Sequence, residues 1–424
     1  MRGMVQPELE YKRTLFGDVP LWKSEPSIDV IERLACQSLR CSCDVRFLAE
    51  GTFNKVYSID CSKGEYVFRV ALPVAPEVKT LSDVATMSFI RKTTSIPVPE
   101  VITYDANFNN KLGFEWILME RVHCRPLEER WSELSWLKKG LLIQKLVQFM
   151  SELSHLELNE IGSIFEHHSD SRTNESKPVV EHAIGEAVLP AFFMGDHVQQ
   201  EMYRGPYSTG AEYVSAHMKF LLHDIQAWCA SDNEYRREDG EAASVIYEKL
   251  HLVFLKLFPG TSRESTRICH QDLSASNILI DESGDLTGVI DWECTITAPC
   301  WQACKLPQFL NGGDSDDVPE LPSEEALQDE DAVEYYDDDM YHYEQTQLRR
   351  FFFEEMGRVD PLWIQTYNEG AMRRDVMVAM ESFYDGTRVK LVKRWLDCVL
   401  EGRLPKVTLF EAVMDPQALG DDWA

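Results

Sequence analysis

The stretch that decides the fold is Cys269-His270-Gln271-Asp272-Leu273-Ser274-Ala275-Ser276-Asn277-Ile278-Leu279-Ile280, followed after a turn containing Gly284 by Val289-Ile290-Asp291-Trp292-Glu293. Arg267–Cys269, Ile278–Ile280 and Leu286–Ile290 are short β-prone runs, the last two joined as a hairpin. Asp272 and Asn277 therefore share a loop between strands, and Asp291 ends the next strand. Transfer of a phosphoryl group from a nucleotide asks little covalent chemistry of a protein. It needs one carboxylate to orient a hydroxyl and receive its proton, and hard oxygen ligands to hold Mg²⁺ against the phosphates. Asp272 suits the first role; Asn277 and Asp291 suit the second.

Working outward toward the N-terminus, residues 45–72 alternate β-prone runs with Gly-containing turns: VRFLAE, Gly51-Thr52-Phe53-Asn54, KVYSID, Lys63-Gly64, EYVFRVAL. The period-two pattern predicts a three-stranded antiparallel meander. Leu81, Val84, Ala85, Ser88 and Phe89 then fall at helical spacing within 78–94, and Pro97 and Pro99 end that helix. Two further strands are expected at 100–104 and 114–119. Beyond them helical patterns cover 141–156, 211–228, 243–258, 371–383 and 387–400, with another running from Met340 through Met356. Residues 157–208 read as an excursion over the surface.

The string H-x-D-x-x-x-x-N followed by a hydrophobic strand ending in Asp resembles the catalytic and metal loops of the protein kinase-like superfamily. With Gln271 after the histidine and Asp291-Trp292-Glu293 in place of Asp-Phe-Gly, it is similar to the aminoglycoside phosphotransferase and choline kinase branch. Ala298-Pro299-Cys300-Trp301 also resembles that branch, and no protein-kinase activation segment follows Asp291. The resemblance covers roughly residues 45–310 and, more weakly, the C-terminal helices.

It implies an α+β, bilobal protein kinase-like fold, with a small antiparallel β lobe carrying one helix and a larger, mainly helical lobe. The boundaries that follow are an N-terminal extension 1–44, a small nucleotide-binding lobe 45–123 ending in a hinge, and a large catalytic and substrate lobe 124–424. It further implies ATP and Mg²⁺ as cofactors and a small-molecule hydroxyl as substrate. Aminoglycosides, choline, ethanolamine, sugars and amino-acid alcohols are all compatible acceptors.

Gly51, Thr52, Phe53 and Asn54 would form the nucleotide loop, although with one glycine where kinases carry three. Arg69 would grip the α/β-phosphates in place of the usual lysine, paired with Asp83, or more weakly with Glu77, on the following helix. The backbone at Glu120 and Val122, in Leu118-Met119-Glu120-Arg121-Val122, would meet the adenine edge. The resemblance assigns His270 to bracing the loop rather than to base catalysis. Glu293 would extend the metal shell through a water or cap the next segment, and Arg204-Gly205-Pro206-Tyr207 reads as structural. The departures at the loop, Arg69 and Asp83 keep a second possibility open: a catalytically silent nucleotide-binding module that serves in interactions.

Charge and composition bound these readings. The 424 residues carry a net charge of −29, against nucleic-acid binding, which rests on clustered Lys and Arg. A 44% hydrophobic content supports a large core. No apolar run approaches the roughly 20 residues that cross a bilayer, so no membrane insertion is expected. Eleven scattered cysteines, with no apolar leader in Met1–Trp22, point to a reducing, cytoplasmic setting without a disulfide framework. Cys41-Ser42-Cys43 is half of a zinc pattern, but no second Cys/His pair follows at finger-like spacing, so no zinc site is expected. Residues 314–339 hold thirteen acidic residues and read as a solvated insertion, since like charges repel; the alternative is an electrostatic funnel for a cationic substrate.

Overall fold

Strand alternation builds the N-terminal part. A five-stranded antiparallel sheet runs in the order β3-β4-β5-β7-β6. Its strands are β3 (Cys43–Glu50), β4 (Asn54–Cys61), β5 (Gly64–Ala71), β6 (Val101–Asp105) and β7 (Glu115–Glu120). Successive side chains on β7 go to opposite faces, as the pleat demands. Ile117 and Met119 pack with Val84, Ala85, Met87 and Ile90 of helix α2 (Val78–Thr93). Trp116 and Leu118 join Tyr57, Ile59, Phe68 and Val70 on the other face, where Phe68 stacks on Trp116 at 4.8 Å between ring centroids. This computed structural model describes residues 8–14, 17–168, 180–260, 262–323, 325, 328–403, 405 and 407–414.

Residues expected as an extension also enter this architecture. Helix α1 (Ile28–Leu39) sets Ile31, Ala35 and Leu39 against the second face of the sheet, which is thus covered on both sides. Before it, β1 (Leu9–Thr14) and β2 (Gly17–Trp22) form an antiparallel hairpin, and Leu9 joins the core that contains Phe53, Leu72 and Phe193.

The remainder is mainly helical. Its long helices are α3 (Trp136–His155), α4 (Gly210–Cys229), α5 (Glu234–Leu257), α6 (Glu330–Val359), α7 (Pro361–Glu381) and α8 (Val389–Leu400). A capping box starts α4: Thr209 accepts from the Glu212 N–H, and Glu212 accepts from the Thr209 N–H. Short strands join these helices. They include β8 (Arg125–Pro126), β11 (Thr266–Cys269), β12 (Ile278–Ile280), β13 (Leu286–Val289) and β14 (Ile296–Pro299). β12 is central in the order β13-β12-β8, and β11 pairs with β14.

Two expectations change. Residues 157–208 are no surface excursion: Ile161, Ile164, Ala187, Val188, Phe192, Phe193 and Tyr207 are buried, and β9 (Ile164–His168) pairs with β10 (Val180–Ile184). Residues 169–179 of that stretch lie outside the described residues. The acidic run, whose residues 324, 326 and 327 are also outside them, is not wholly free of structure either. Its last part opens α6, while Asp314 and Asp316 pair with Arg349 and Arg350 on the same helix.

Candidate active site

The loop after β11 carries His270, Asp272 and Asn277. Burial holds the His270 imidazole down to about 4, so it is neutral near pH 7. Its two nitrogens then have distinct tasks: Nε2–H donates to the Ile290 carbonyl at 3.1 Å, and Nδ1 accepts the Asp272 N–H at 3.2 Å. The ring lies edge-on to Trp292 at 4.7 Å. It braces the loop and faces no reacting group of the chain. Arg204 is likewise structural, buried with its guanidinium donating to the carbonyls of Phe192, Met202, His197 and Gln200.

Asn277 ends a 3₁₀ turn (Ala275–Asn277) and donates through Nδ2 to both the Asp272 carbonyl, at 2.9 Å, and the Asp272 carboxylate, at 3.0 Å. Those two bonds fix the amide with Oδ1 turned away from Asp272. The Ile290 N–H donates to the Asn277 carbonyl at 3.0 Å, which brings Asp291 alongside this pair. Asp291 has φ 62° and Cys294 φ 55°, two non-glycine residues in the left-handed region that flank the Trp292-Glu293 corner. The Asp291 carboxyl is pushed up to about 7 by burial and by Glu293, while Arg69 and Lys79 oppose the rise. Oδ1 of Asn277 and the carboxylates of Asp272 and Asp291 are hard oxygen donors, the set that a magnesium ion takes.

Across the cleft, Arg69 on β5 and Asp83 on α2 are buried and joined at 2.7 Å, so the shorter acid does reach the guanidinium. Glu77 is exposed and has no part in that pair; its backbone N–H donates to the Glu115 carboxylate at 2.6 Å. Sequence reasoning missed Lys79. It is 2% exposed, and its Nζ lies 3.2 Å from Asp83 and 2.6 Å from Glu293. Glu293 also accepts from Asn54 Nδ2 at 2.6 Å. The acid of Asp-Trp-Glu is thus tied to the turn and helix of the opposite lobe. Burial pushes Glu293 up, but Lys79 and Arg69 pull it below the usual carboxylate range. The one signal for Lys79 was an i, i+4 spacing to Asp83.

The β3–β4 turn is tight, with the Gly51 N–H donating to the Asn54 carbonyl at 2.9 Å. Thr52 is exposed; Phe53 is buried and packs edge-on against Phe193 at 5.3 Å, so its side chain serves the core. A Cβ built on Gly51 would meet only the Asn54 carbonyl, at 4.0 Å, so the fold alone does not demand glycine there. At the end of β7, the Glu120 N–H donates to the Glu100 carbonyl and the Val122 carbonyl accepts from Cys124.

The chain is similar to several known proteins. A subtelomeric hrmA-associated cluster protein of Aspergillus fumigatus is 27% identical over 328 residues, covering 66% of this chain and 64% of its own length. Altered inheritance of mitochondria protein 9 of Saccharomyces cerevisiae is 24% identical over 310 residues, covering 62% of this chain and 49% of its own. Less than two thirds of either relative is therefore represented here. Among solved structures, the aminoglycoside phosphotransferase APH(2'')-Ib with ADP bound aligns over 89% of this chain and 98% of its own, with a TM-score of 0.46 and 14% identity. Residues 44–302, more than half of the chain, match the family described as APH, phosphotransferase enzyme family, and the chain belongs to that family.

Proposed function

We propose that this protein moves the γ-phosphate of ATP to a hydroxyl group of a small molecule. The observation that carries the reading is the Asp272–Asn277 contact at 3.0 Å, with the Ile290 N–H bonded to the Asn277 carbonyl one residue before Asp291.

In this reading Asp272 orients the acceptor hydroxyl and takes its proton as the oxygen attacks phosphorus. Asn277 holds that carboxylate in place through Nδ2, and neutral His270 holds the backbone beneath it. Asn277 Oδ1 and Asp291 would hold Mg²⁺, which when bound supplies charge neutralisation to the phosphates. The backbone of Gly51 and Thr52 would cover the phosphates. Arg69, fixed by Asp83, keeps positive charge beside them, and the backbone at Glu120 and Val122 would meet the adenine.

The test is γ-phosphate transfer from ATP to a pooled small-alcohol library, read as mass gain. Asp272→Asn keeps an oxygen for the Asn277 amide but removes the base. It should lower turnover by about 10²–10⁴-fold while sparing ATP binding, and Asp291→Asn should weaken Mg-ATP instead. Equal turnover by wild type and Asp272→Asn would defeat the assignment. One observation favours a second reading, a silent nucleotide-binding module: both cleft cations, Arg69 and Lys79, are already neutralised by protein carboxylates. A magnesium-dependent thermal shift with ATP but no phosphate turnover across a broad alcohol panel would select it.

A further inference from the structure

A second cluster of metal-binding side chains lies outside the cleft. The sulfurs of Cys41, Cys43 and Cys61 all lie within 4.8 Å of one another, and Cys36 packs with Cys41 and Cys61 against the core cluster that contains Cys43. The fold gathers them from three elements. Cys36 is on α1, whose C-terminus is closed by Arg40 in the left-handed region at φ 54°. That reversal leads through Cys41 into β3, which Cys43 opens. Cys43 pairs directly with Cys61, the last residue of β4. The second half of the thiol set is therefore supplied by one residue before Cys41-Ser42-Cys43 and one distant residue brought in by strand pairing. No finger-like spacing in sequence could reveal that arrangement. All four are free thiols, and Cys43 and Cys61 donate to the carbonyls of Cys41 at 3.5 Å and Gly64 at 3.4 Å.

We propose that Cys36, Cys41, Cys43 and Cys61 form a tetrathiolate site for zinc(II), which clamps α1 to the base of the β3–β4 hairpin. Four thiolates around zinc at about 2.3 Å place the sulfurs about 3.8 Å apart. The sulfurs of Cys41, Cys43 and Cys61, all within 4.8 Å of one another, exceed that spacing by at most about 1 Å. Four cysteines leave no position for water, so the site is structural. Binding exchanges four thiol protons for one zinc ion, leaving a doubly negative centre with every sulfur ligated. Thiolate donors select zinc over magnesium or calcium, so this site and the oxygen-lined cleft would not compete for the same ion. They are also remote: β3 and β4 are eight residues long, which at about 3.3 Å per residue puts the cysteines roughly 23 Å from the Gly51 turn at the other end of the hairpin.

The test uses the full chain, purified with a thiol reductant and exchanged into metal-free buffer. Elemental analysis should find stoichiometric zinc, released by a mercurial thiol reagent and not by ATP. Replacement by cobalt(II) should give the strong visible bands of tetrahedral thiolate coordination. Cys41→Ser and Cys61→Ser should each weaken zinc binding by about tenfold or more, whereas Cys229→Ser, in the helical part, should leave it unchanged. Zinc-free wild type without cobalt bands would overturn the site, as would undiminished zinc in both serine variants. A disulfide among the four, seen as the loss of two hydrogens in the mass of the reduced and purified chain, would also overturn it. If the serine variants do not fold, the cobalt spectrum of the wild type still decides.

Discussion

Lys79→Met tests the ionic bridge across the cleft. Methionine keeps the length and apolar character of the lysine stem but removes the ammonium that lies 2.6 Å from Glu293 and 3.2 Å from Asp83. Burial alone would lower the lysine pKa; Asp83 and Glu293 instead hold it above the usual range. Removing one partner from a buried ion pair costs about 3–5 kcal/mol, because the other charge is left without compensation. Asp83 would still have Arg69, and Glu293 would still have Asn54, so the lower end, about 3 kcal/mol, is expected. Urea denaturation reads this as a lower midpoint with an unchanged slope. Adding Glu293→Gln to Lys79→Met removes the orphaned charge and should restore about 1.5 kcal/mol or more as a coupling term. Glu293 is held below its ordinary value, 4.5, so its contribution is present above that pH and lost as pH falls through the lower, folded value. The Lys79→Met penalty should therefore shrink in acid. A loss below about 1 kcal/mol at neutral pH, or strictly additive effects of the two substitutions, would show that the lobes are not joined here in solution.

Two further outcomes follow from buried and exposed positions around the same cleft. Burial pushes the Glu115 carboxyl up to about 7 from 4.5, so as pH rises the unfolded chain releases this proton first, and stability present below pH 4.5 declines until about 7. Glu115→Gln keeps an acceptor for the Glu77 N–H and should remove up to about 3 kcal/mol of that decline; superimposable pH profiles of thermal stability would contradict it. Gly51→Ala meets nothing closer than 4.0 Å and should change stability by less than about 0.5 kcal/mol. If the turn covers phosphates, nucleotide affinity by calorimetry should nevertheless fall about tenfold, or about 1.4 kcal/mol; unchanged affinity would remove the turn from the nucleotide site.

Elements with a single strong period were legible in the sequence. The meander 45–72, the helix at 78–94 and the hairpin around Gly284 lie within a few residues of β3–β5, α2 and β12–β13. Elements whose polar residues have local or distant partners were not. Helix α5 begins at Glu234 rather than Ala243, because the polar segment from Glu234 to Glu241 is held by the Asn233 cap. Gly240 also lets that helix pass close to α4: a Cβ there would lie 2.6 Å from the Cys229 nitrogen. A glycine in a charged stretch reads as a loop until the neighbouring helix is known. The acidic start of α6 was hidden for a related reason, since repulsion along 314–339 is offset in part by Arg349 and Arg350, which lie beyond the run on the same helix and pair with Asp314 and Asp316.

The cleft divides in the same way. His270, Asp272, Asn277 and Asp291 could be read because a short loop and a hairpin fix their relative positions, whatever the rest of the chain does. Lys79, and the bonds that join it and Asn54 to Glu293, could not, because they link residues more than two hundred positions apart and a lysine near a helix start looks like a solvated one. Yet those three explain the electrostatics of the motif. Asp83, Asp291 and Glu293 share the buried cations Arg69 and Lys79. Arg69 and Lys79 are bonded to Asp83 and Glu293, and Asp291 is left with the raised pKa. A carboxyl in that position holds a proton cheaply near neutrality, and a divalent cation would displace that proton while correcting the local charge deficit. The bridge therefore has a second consequence besides joining the lobes. By bonding both cations to Asp83 and Glu293, it leaves Asp291 with only their attraction at longer range, which opposes but does not overcome burial and the neighbouring Glu293.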